Sequence, residues 1–316
     1  MPLCELIEYM HMKTAFLFPG QGSQSVGMLA GLAQFPEVKQ TFDEASAALG
    51  EDLWKLVTEG PAETLNQTAY TQPAMLAADI ATWRVYLAQG GARPAVMAGH
   101  SLGEIAALTA AGALDFADAV KLTRFRAEAM QNAVPEGVGA MAAVLGLDDD
   151  AVRAVCAEAA RGEVLEAVNL NSPGQVVIAG NKAAVERGMT LAKEKGAKRA
   201  LPLPVSVPSH SALMKPAAEK FRVYLENVNL RAPEIPVLQN ADVQAFSDPA
   251  AIKDALARQL HSPVRWVETV QALAAQGVTR CVECGPGKVL AGLSRRINDI
   301  PCIALVDEAA LQAIKA

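Results

Sequence analysis

The chain has 316 residues, of which 51% are hydrophobic and 20% charged, enough for one large domain and a smaller one, each with its own core. A formal net charge of −6 argues against a general nucleic-acid binder, which needs a broad basic surface. No apolar run reaches the length of a membrane helix, because charges or turn residues interrupt each one.

Met1–Met12 carries Glu5 and Glu8 and lacks a basic start and a small-residue cleavage site, so it does not read as a signal peptide. Residues 1–12 read instead as an extension, from an alternative start or an artificial remnant, with Met12 as the natural first residue. Thr14–Phe18 is a short apolar run stopped by Pro19-Gly20, the pattern of a buried strand in an α/β sheet. Helical periodicity covers parts of Met28 to Ala88, with breaks expected at Pro36, Gly60-Pro61 and Pro73. Pro94–Ala98 is a second apolar run ending at Gly99. Leu102–Ala111, rich in Ala and Leu, reads as a buried helix, and Asp115 as the N-cap of a helix running to about Asn132.

The middle of the chain changes character. Gly139–Leu147 reads as a strand and Asp148–Ala160 as a helix. Val164–Asn169 and Gln175–Ala179 read as strands joined by a turn at Asn171-Ser172-Pro173-Gly174. Asn181–Lys195 is helical and stops at Gly196, and Ala200–Val207 reads as a strand despite two prolines. That order is βαββαβ, the split βαβ pattern of a ferredoxin-like subdomain. Alternation then resumes. A helix from about Ser211, a strand at Ile235–Gln239 and helices near Asp248–Leu260 and Val267–Gln276 precede a strand at Arg280–Cys284. A helix after Gly285 and a strand at Cys302–Val306 complete it. The expected fold is therefore α/β: a large domain with a mostly parallel sheet (residues 13–134 and 208–316) and an inserted subdomain (135–207).

Five cysteines do not make a disulfide framework in a chain of this size. Cys281 and Cys284 form a C-x-x-C on a strand entering a turn, where positions three apart face opposite sides, so no metal site is expected. Both read as small core residues in a reducing cytoplasm.

The sharpest motif is Gly99-His100-Ser101-Leu102-Gly103, a G-x-S-x-G between an apparent strand and an apparent helix. Its glycines permit a sharp turn that lifts the Ser101 hydroxyl above the sheet, and the Leu102 amide then points at any oxyanion formed on an acyl group there. An activated serine needs a base. Of four histidines, His11 lies in the extension and His100 precedes the nucleophile, its side chain expected to point away. His210 and His261 remain, and His210 is favoured by its place where a strand hands over to a helix. No acid between Ser101 and His210 lies on an obvious post-strand loop, so a carbonyl could hold the imidazole tautomer instead. The Pro19–Gln24 loop lacks the Lys-Ser/Thr of a P-loop, which excludes a nucleotide hydrolase of that type.

Four motifs together, Phe18-Pro19-Gly20-Gln21-Gly22-Ser23-Gln24, Gly99–Glu104, Arg126 in Arg124-Phe125-Arg126, and Gln259…Pro263-Val264-Arg265-Trp266, resemble the malonyl-CoA:acyl carrier protein transacylase family. The resemblance runs from Lys13 to the C-terminal region, with the motifs in order and at the right spacing. It implies a hydrolase-like large domain with a ferredoxin-like insertion. Ser101 is then the nucleophile, His210 the general base and the Gln259 carbonyl the group that orients it. The Gln21 and Leu102 amides form the oxyanion hole, Arg126 pairs with the malonyl carboxylate, and Met130 and Asn171 are pocket-wall positions. It further implies malonyl-CoA as substrate, acyl carrier protein as acceptor, no cofactor, a role in fatty acid chain elongation, and a stand-alone chain able to work as a monomer. Lys182 to Arg199 holds six Lys/Arg and two Glu. That run is a candidate docking surface for an acidic carrier, or simply a solvated helix face.

Overall fold

The computed structural model describes residues 12–205 and 207–315. The reading of Met1–His11 as an extension falls outside the described residues. Five strands form a wholly parallel sheet: β1 (Thr14–Phe18), β2 (Val96–Gly99), β7 (Val237–Leu238), β8 (Arg280–Glu283) and β9 (Cys302–Ala304), in the order β7-β2-β1-β8-β9. Four more, β3 (Gly139–Leu145), β4 (Leu165–Ser172), β5 (Gln175–Asn181) and β6 (Arg199–Pro202), form a separate antiparallel sheet in the order β4-β5-β3-β6. Their chain positions, between β2 and β7, make the second sheet an insertion with ferredoxin-like order.

Helices α1 (Pro36–Leu49), α2 (Leu53–Glu59), α3 (Ala62–Leu65), α4 (Thr68–Ala88), α5 (Leu102–Ala110) and α6 (Phe116–Gln131) precede the insertion. It contains α7 (Asp149–Ala160) and α8 (Lys182–Glu194). After it come α9 (Lys215–Glu226), α10 (Pro249–Gln259), α11 (Trp266–Ala275), α12 (Val289–Ile297) and α13 (Glu308–Lys315). Alternate residues of the parallel strands feed opposite cores, as the two-residue strand period requires. Phe16, Phe18, Met97 and Val282 pack on one face with α4, α5 and α6. Ala15, Leu17, Ala98 and Cys281 pack on the other with Trp266 of α11 and Leu290 of α12. In the small sheet, Ala142, Val144, Val176 and Ile178 pack under α7 and α8. Met141, Val168, Val177 and Ala179 form its other face, joined by Leu203 and Val205.

Two expectations need correction, and one element goes unanticipated. Pro73 does not break its helix: α4 continues through it from Thr68 to Ala88. One ladder hydrogen bond is lost there, but burial of nearly every side chain from Thr71 to Trp83 outweighs the local preference. The strand expected to Val207 ends at Pro202, because Pro202 and Pro204 cannot donate to a ladder. The C-terminal helix α13, buried through Leu311 and Ile314, has no counterpart in the sequence reading.

Candidate active site

Parallel strands deliver their carboxyl ends to one edge of the sheet, where ligands of α/β folds bind. Phe18 pairs with Gly99, so the Pro19-Gly20-Gln21 loop after β1 lies beside the turn after β2. The small residues are there for contact. A Cβ on Gly99 would overlap the Gly103 backbone, one on Gly103 the Phe18 carbonyl oxygen, and one on Gly20 the His100 carbonyl. Ser101 takes φ 54° at the N-cap of α5, the strained turn that lifts its hydroxyl above the sheet.

The hydroxyl lies 2.8 Å from His210 Nε2, and His210 Nδ1 lies 2.8 Å from the Gln259 carbonyl oxygen. A carbonyl only accepts, so Nδ1 carries the proton and Nε2 is left to take one from Ser101. The His210 backbone N–H donates to the Leu260 carbonyl (3.0 Å), fixing the residue at φ 65°. Burial pushes the His210 pKa down to about 3, and the Arg126 charge adds to the shift. The ring is therefore neutral at physiological pH and able to accept a proton.

Arg126, on α6, is 1% exposed. Its Nη1 donates to Gln72 Oε1 (2.8 Å), and its Nη2 to Gln259 Oε1 (2.7 Å) and Ser101 Oγ (3.2 Å). Those acceptors are neutral, and Nε has no partner among the described residues. Burial lowers its pKa to about 10, with Glu104 opposing through charge alone, so the guanidinium remains cationic at neutral pH. A buried cation with no anion in hydrogen-bond contact is costly and selects for an anionic ligand. Gln72 is fixed in turn by Met130, whose sulfur accepts from its Nε2 (3.7 Å).

A cavity of about 480 Å³ opens above these groups. Ser101, Leu102, Arg126 and Met130 line it from the large sheet's side, with Gln21 near the rim, and Met141, Leu203 and Val205 line it from the small sheet's side. Among the described residues neither the Gln21 nor the Leu102 amide has an acceptor, which leaves two backbone donors near the serine. The contact at Gly20, whose Cβ would also lie 3.7 Å from the Leu102 nitrogen, keeps the two loops together.

Asn171 stands behind His100, which lines the cavity. Its Oδ1 accepts from His100 Nε2 (2.8 Å), at a register shift in β4 between Leu170 and Ser172, while an earlier shift between Ala167 and Asn169 accompanies the Asn169 side chain that lines the cavity. His100 packs on Trp266, ring centroids 5.4 Å apart, and its Nε2 is engaged by Asn171 rather than by the serine hydroxyl. His261 forms no side-chain hydrogen bond to this cluster among the described residues. Besides the wall residues Met141, Asn169, Leu203 and Val205, two buried amides escaped the sequence reading. Gln72 carries a signal only as an amide beside the apolar run Pro73–Ala78 of its helix. Asn240 carries one as a polar residue just past a strand end, where parallel sheets collect functional groups. Among the described residues no cluster of three or more His, Cys, Asp or Glu could hold a metal, and the free cysteines Cys281 and Cys284 are buried.

Residues 15–299 match the family model described as an acyl transferase domain. A relative from Salmonella typhimurium, "Malonyl CoA-acyl carrier protein transacylase", is 59% identical over 95% of this chain and 97% of its own length. The crystal structure of an acyl-carrier-protein S-malonyltransferase from Burkholderia pseudomallei is 60% identical. It covers 96% of this chain and 100% of its own, with a TM-score of 0.95. A malonyl-transacylase solved in complex with a type II PKS acyl-carrier protein matches with a TM-score of 0.95 at 54% identity, over 96% of this chain and 99% of that one. With a serine elbow in an α/β sheet, a buried unpaired arginine beside it and relatives alike over almost their whole length, this chain belongs to the acyl transferase family, among the malonyl-CoA:acyl carrier protein transacylases.

Proposed function

We propose that this chain moves malonyl from malonyl-CoA to the phosphopantetheine thiol of acyl carrier protein through an ester on Ser101, supplying fatty acid chain elongation. The observation that carries the reading is Arg126: a buried guanidinium without an anionic partner, 3.2 Å from the serine oxygen. The malonyl carboxylate supplies the missing anion. An acetyl group leaves the cation unpaired, and a loss of that kind discriminates by about 10⁴-fold.

In the first half-reaction His210 Nε2 takes the Ser101 proton as the oxygen attacks the thioester carbonyl. The Arg126 charge beside that oxygen favours the negative charge building there. The Gln21 and Leu102 amides receive the tetrahedral oxyanion. The intermediate collapses by breaking the C–S bond, and His210 returns the proton to the departing CoA thiolate. In the second half the carrier thiol gives its proton to His210 and attacks the ester, and Ser101 leaves with that proton. The Gln259 carbonyl orients the imidazole throughout, while Met130 shapes the wall beside the carboxylate. The chemistry uses side chains and backbone amides alone, with malonyl-CoA as substrate and no cofactor.

The carrier partner is supported by the related transacylase solved with its carrier protein. Within the basic run, Arg187 is tied to Glu163 and Lys195 to Glu158, while Lys182, Lys193, Lys198 and Arg199 stand exposed as a docking face. We place the domain boundaries at 13–134 with 208–316 and at 135–207, supported by two sheets that share no strand. No helix among the described residues is long and apolar enough to cross a membrane. We further place the enzyme in the cytoplasm, working as a monomer. The test is intact-mass spectrometry after brief exposure to malonyl-CoA. A malonyl adduct on the wild type, absent from Ser101→Ala and reduced in Arg126→Ala, is expected. An unmodified wild type that releases CoA steadily would mean that water is the acceptor, and would refute the transferase.

A further inference from the structure

We propose that Asn240 is a positioning residue for the nucleophile: its carboxamide bridges the two peptide groups that bracket His100 and so sets the direction of the Ser101 hydroxyl. This inference rests on Ser101 being the acylated residue.

Asn240 lies two residues beyond the end of β7, beside β2, and is 1% exposed. Its Nδ2 donates to the Gly99 carbonyl (2.6 Å), and its Oδ1 accepts from the Ser101 amide (2.7 Å). The Gly99 carbonyl belongs to the peptide before His100, and the Ser101 N–H to the peptide after it. One rigid amide plane therefore locks two consecutive peptide planes in a single relative orientation. The lock fixes the His100 dihedrals and so the peptide plane that enters Ser101, while Gln259 Nε2, donating to the Ser101 carbonyl (3.0 Å), holds the plane that leaves it. Both holds have a purpose, because Ser101 sits at φ 54° and ψ −109°, a conformation that L-residues leave readily.

Asn240 is itself anchored. Its backbone N–H donates to Glu104 Oε2 (2.6 Å), and Glu104, three residues past the nucleophile, is fully buried. The loop after β7 is thus fastened to the first turn of α5 on one side and to the elbow on the other. Only a carboxamide serves both elbow contacts: it offers one acceptor and one donor at fixed separation. Alanine leaves a buried N–H and a buried carbonyl unpaired. A carboxylate turns an oxygen toward the Gly99 carbonyl oxygen and restores the donor only when protonated.

The experiment is rapid-quench malonylation of the full chain with radiolabelled malonyl-CoA, comparing wild type, Asn240→Ala, Asn240→Asp and Glu104→Gln. Asn240→Ala should lower the maximal loading rate by about 10- to 100-fold, the scale expected for a misaimed reacting group. The half-saturating malonyl-CoA concentration should stay within about threefold of wild type. Glu104→Gln keeps an acceptor for the Asn240 N–H and should load faster than Asn240→Ala. Loading of Asn240→Ala at the wild-type rate, or a loss confined to half-saturation, overturns the proposal. Should Asn240→Ala fail to fold, the nearly isosteric Asn240→Asp decides. Burial at this 1% exposed position raises the pKa of the new acid above the ordinary value of about 3.9, so the variant's deficit against wild type should shrink between about pH 8 and about pH 5.5 as that acid protonates. The reading is the ratio to wild type at each pH, so that changes common to the two proteins drop out. An unchanged ratio overturns the inference. A wild type that never labels overturns the functional reading and this inference with it.

Discussion

The two sheets meet at one cavity and contribute opposite materials. The parallel sheet brings polar groups at its strand ends: the Gln21 loop after β1, Ser101 after β2 and Asn240 after β7. The antiparallel sheet brings an apolar face, with Met141, Leu203 and Val205 toward the same space and Asn169 its one polar lining residue among those described. The difference follows from geometry. Parallel strands end together at one edge, so side chains far apart in sequence converge there. A sheet covered by helices on one side has a whole face left over, which serves as a wall. Chemistry belongs to the edge and enclosure to the face.

The sharpest way to break this comparison is to disturb the edge. Gly103→Ala places a Cβ against the Phe18 carbonyl where no flexible side chain can yield. It should cost about 3 kcal/mol or more, read as a fall in urea midpoint at unchanged slope. A midpoint within error of wild type would mean that the elbow and the β1 loop are not in the contact described.

The second test concerns charge. His210 is held neutral by burial first and by Arg126 second. The acid limb of the loading rate should therefore lie well below the ordinary imidazole pKa of about 6.5, and should move upward in Arg126→Ala for whatever loading remains. The same shift bears on stability. Because the folded pKa is depressed, the unfolded chain binds the extra proton between about 6.5 and about 3. His210's contribution is fully present above the unfolded pKa and is lost as pH falls through that window. Glu104, raised to about 7 by burial, works the other way: its contribution is present below the unfolded pKa of 4.5 and is lost as pH rises toward 7. An acid limb at the ordinary imidazole position in both proteins would contradict the burial described for His210.

The smallest effect is expected from the face. Leu203→Ala should leave the maximal loading rate near wild type and raise half-saturation by less than about fivefold, since it removes apolar contact without touching the reacting groups. A collapse of the maximal rate would mean that the wall also aims the chemistry.

The elbow was legible because its physics is local. A turn with no room for side chains must be written in glycine, and Gly99 and Gly103 sit one residue outside His100 and Leu102. The alternation of elements was legible for the same reason, each strand and helix carrying its own period. The Gln259 carbonyl was not legible from the residues themselves, since a backbone acceptor has no side-chain identity, and only the family resemblance pointed to it. Gln72 was hidden by Pro73, where local preference predicted a break and burial of α4 prevailed. Asn240 was hidden by sheet order. Placing β7 beside β2 across the whole inserted subdomain is a tertiary decision, with no local periodicity to announce it. Asn169 was hidden likewise: it follows a register shift after Ala167, which strand alternation alone does not announce.

The exit from the small sheet carries an engineering consequence. The chain leaves β6 and within eight residues becomes His210, pinned by its own amide to the Leu260 carbonyl and by its ring to the Gln259 carbonyl. The insertion therefore ends on a residue of the large sheet's site, and its outgoing strap doubles as a support for the imidazole. A graft that exchanges the apolar wall for another must join upstream of that strap and reproduce its length. A junction that slips by one residue would reach the substrate as a displaced imidazole rather than as a changed wall.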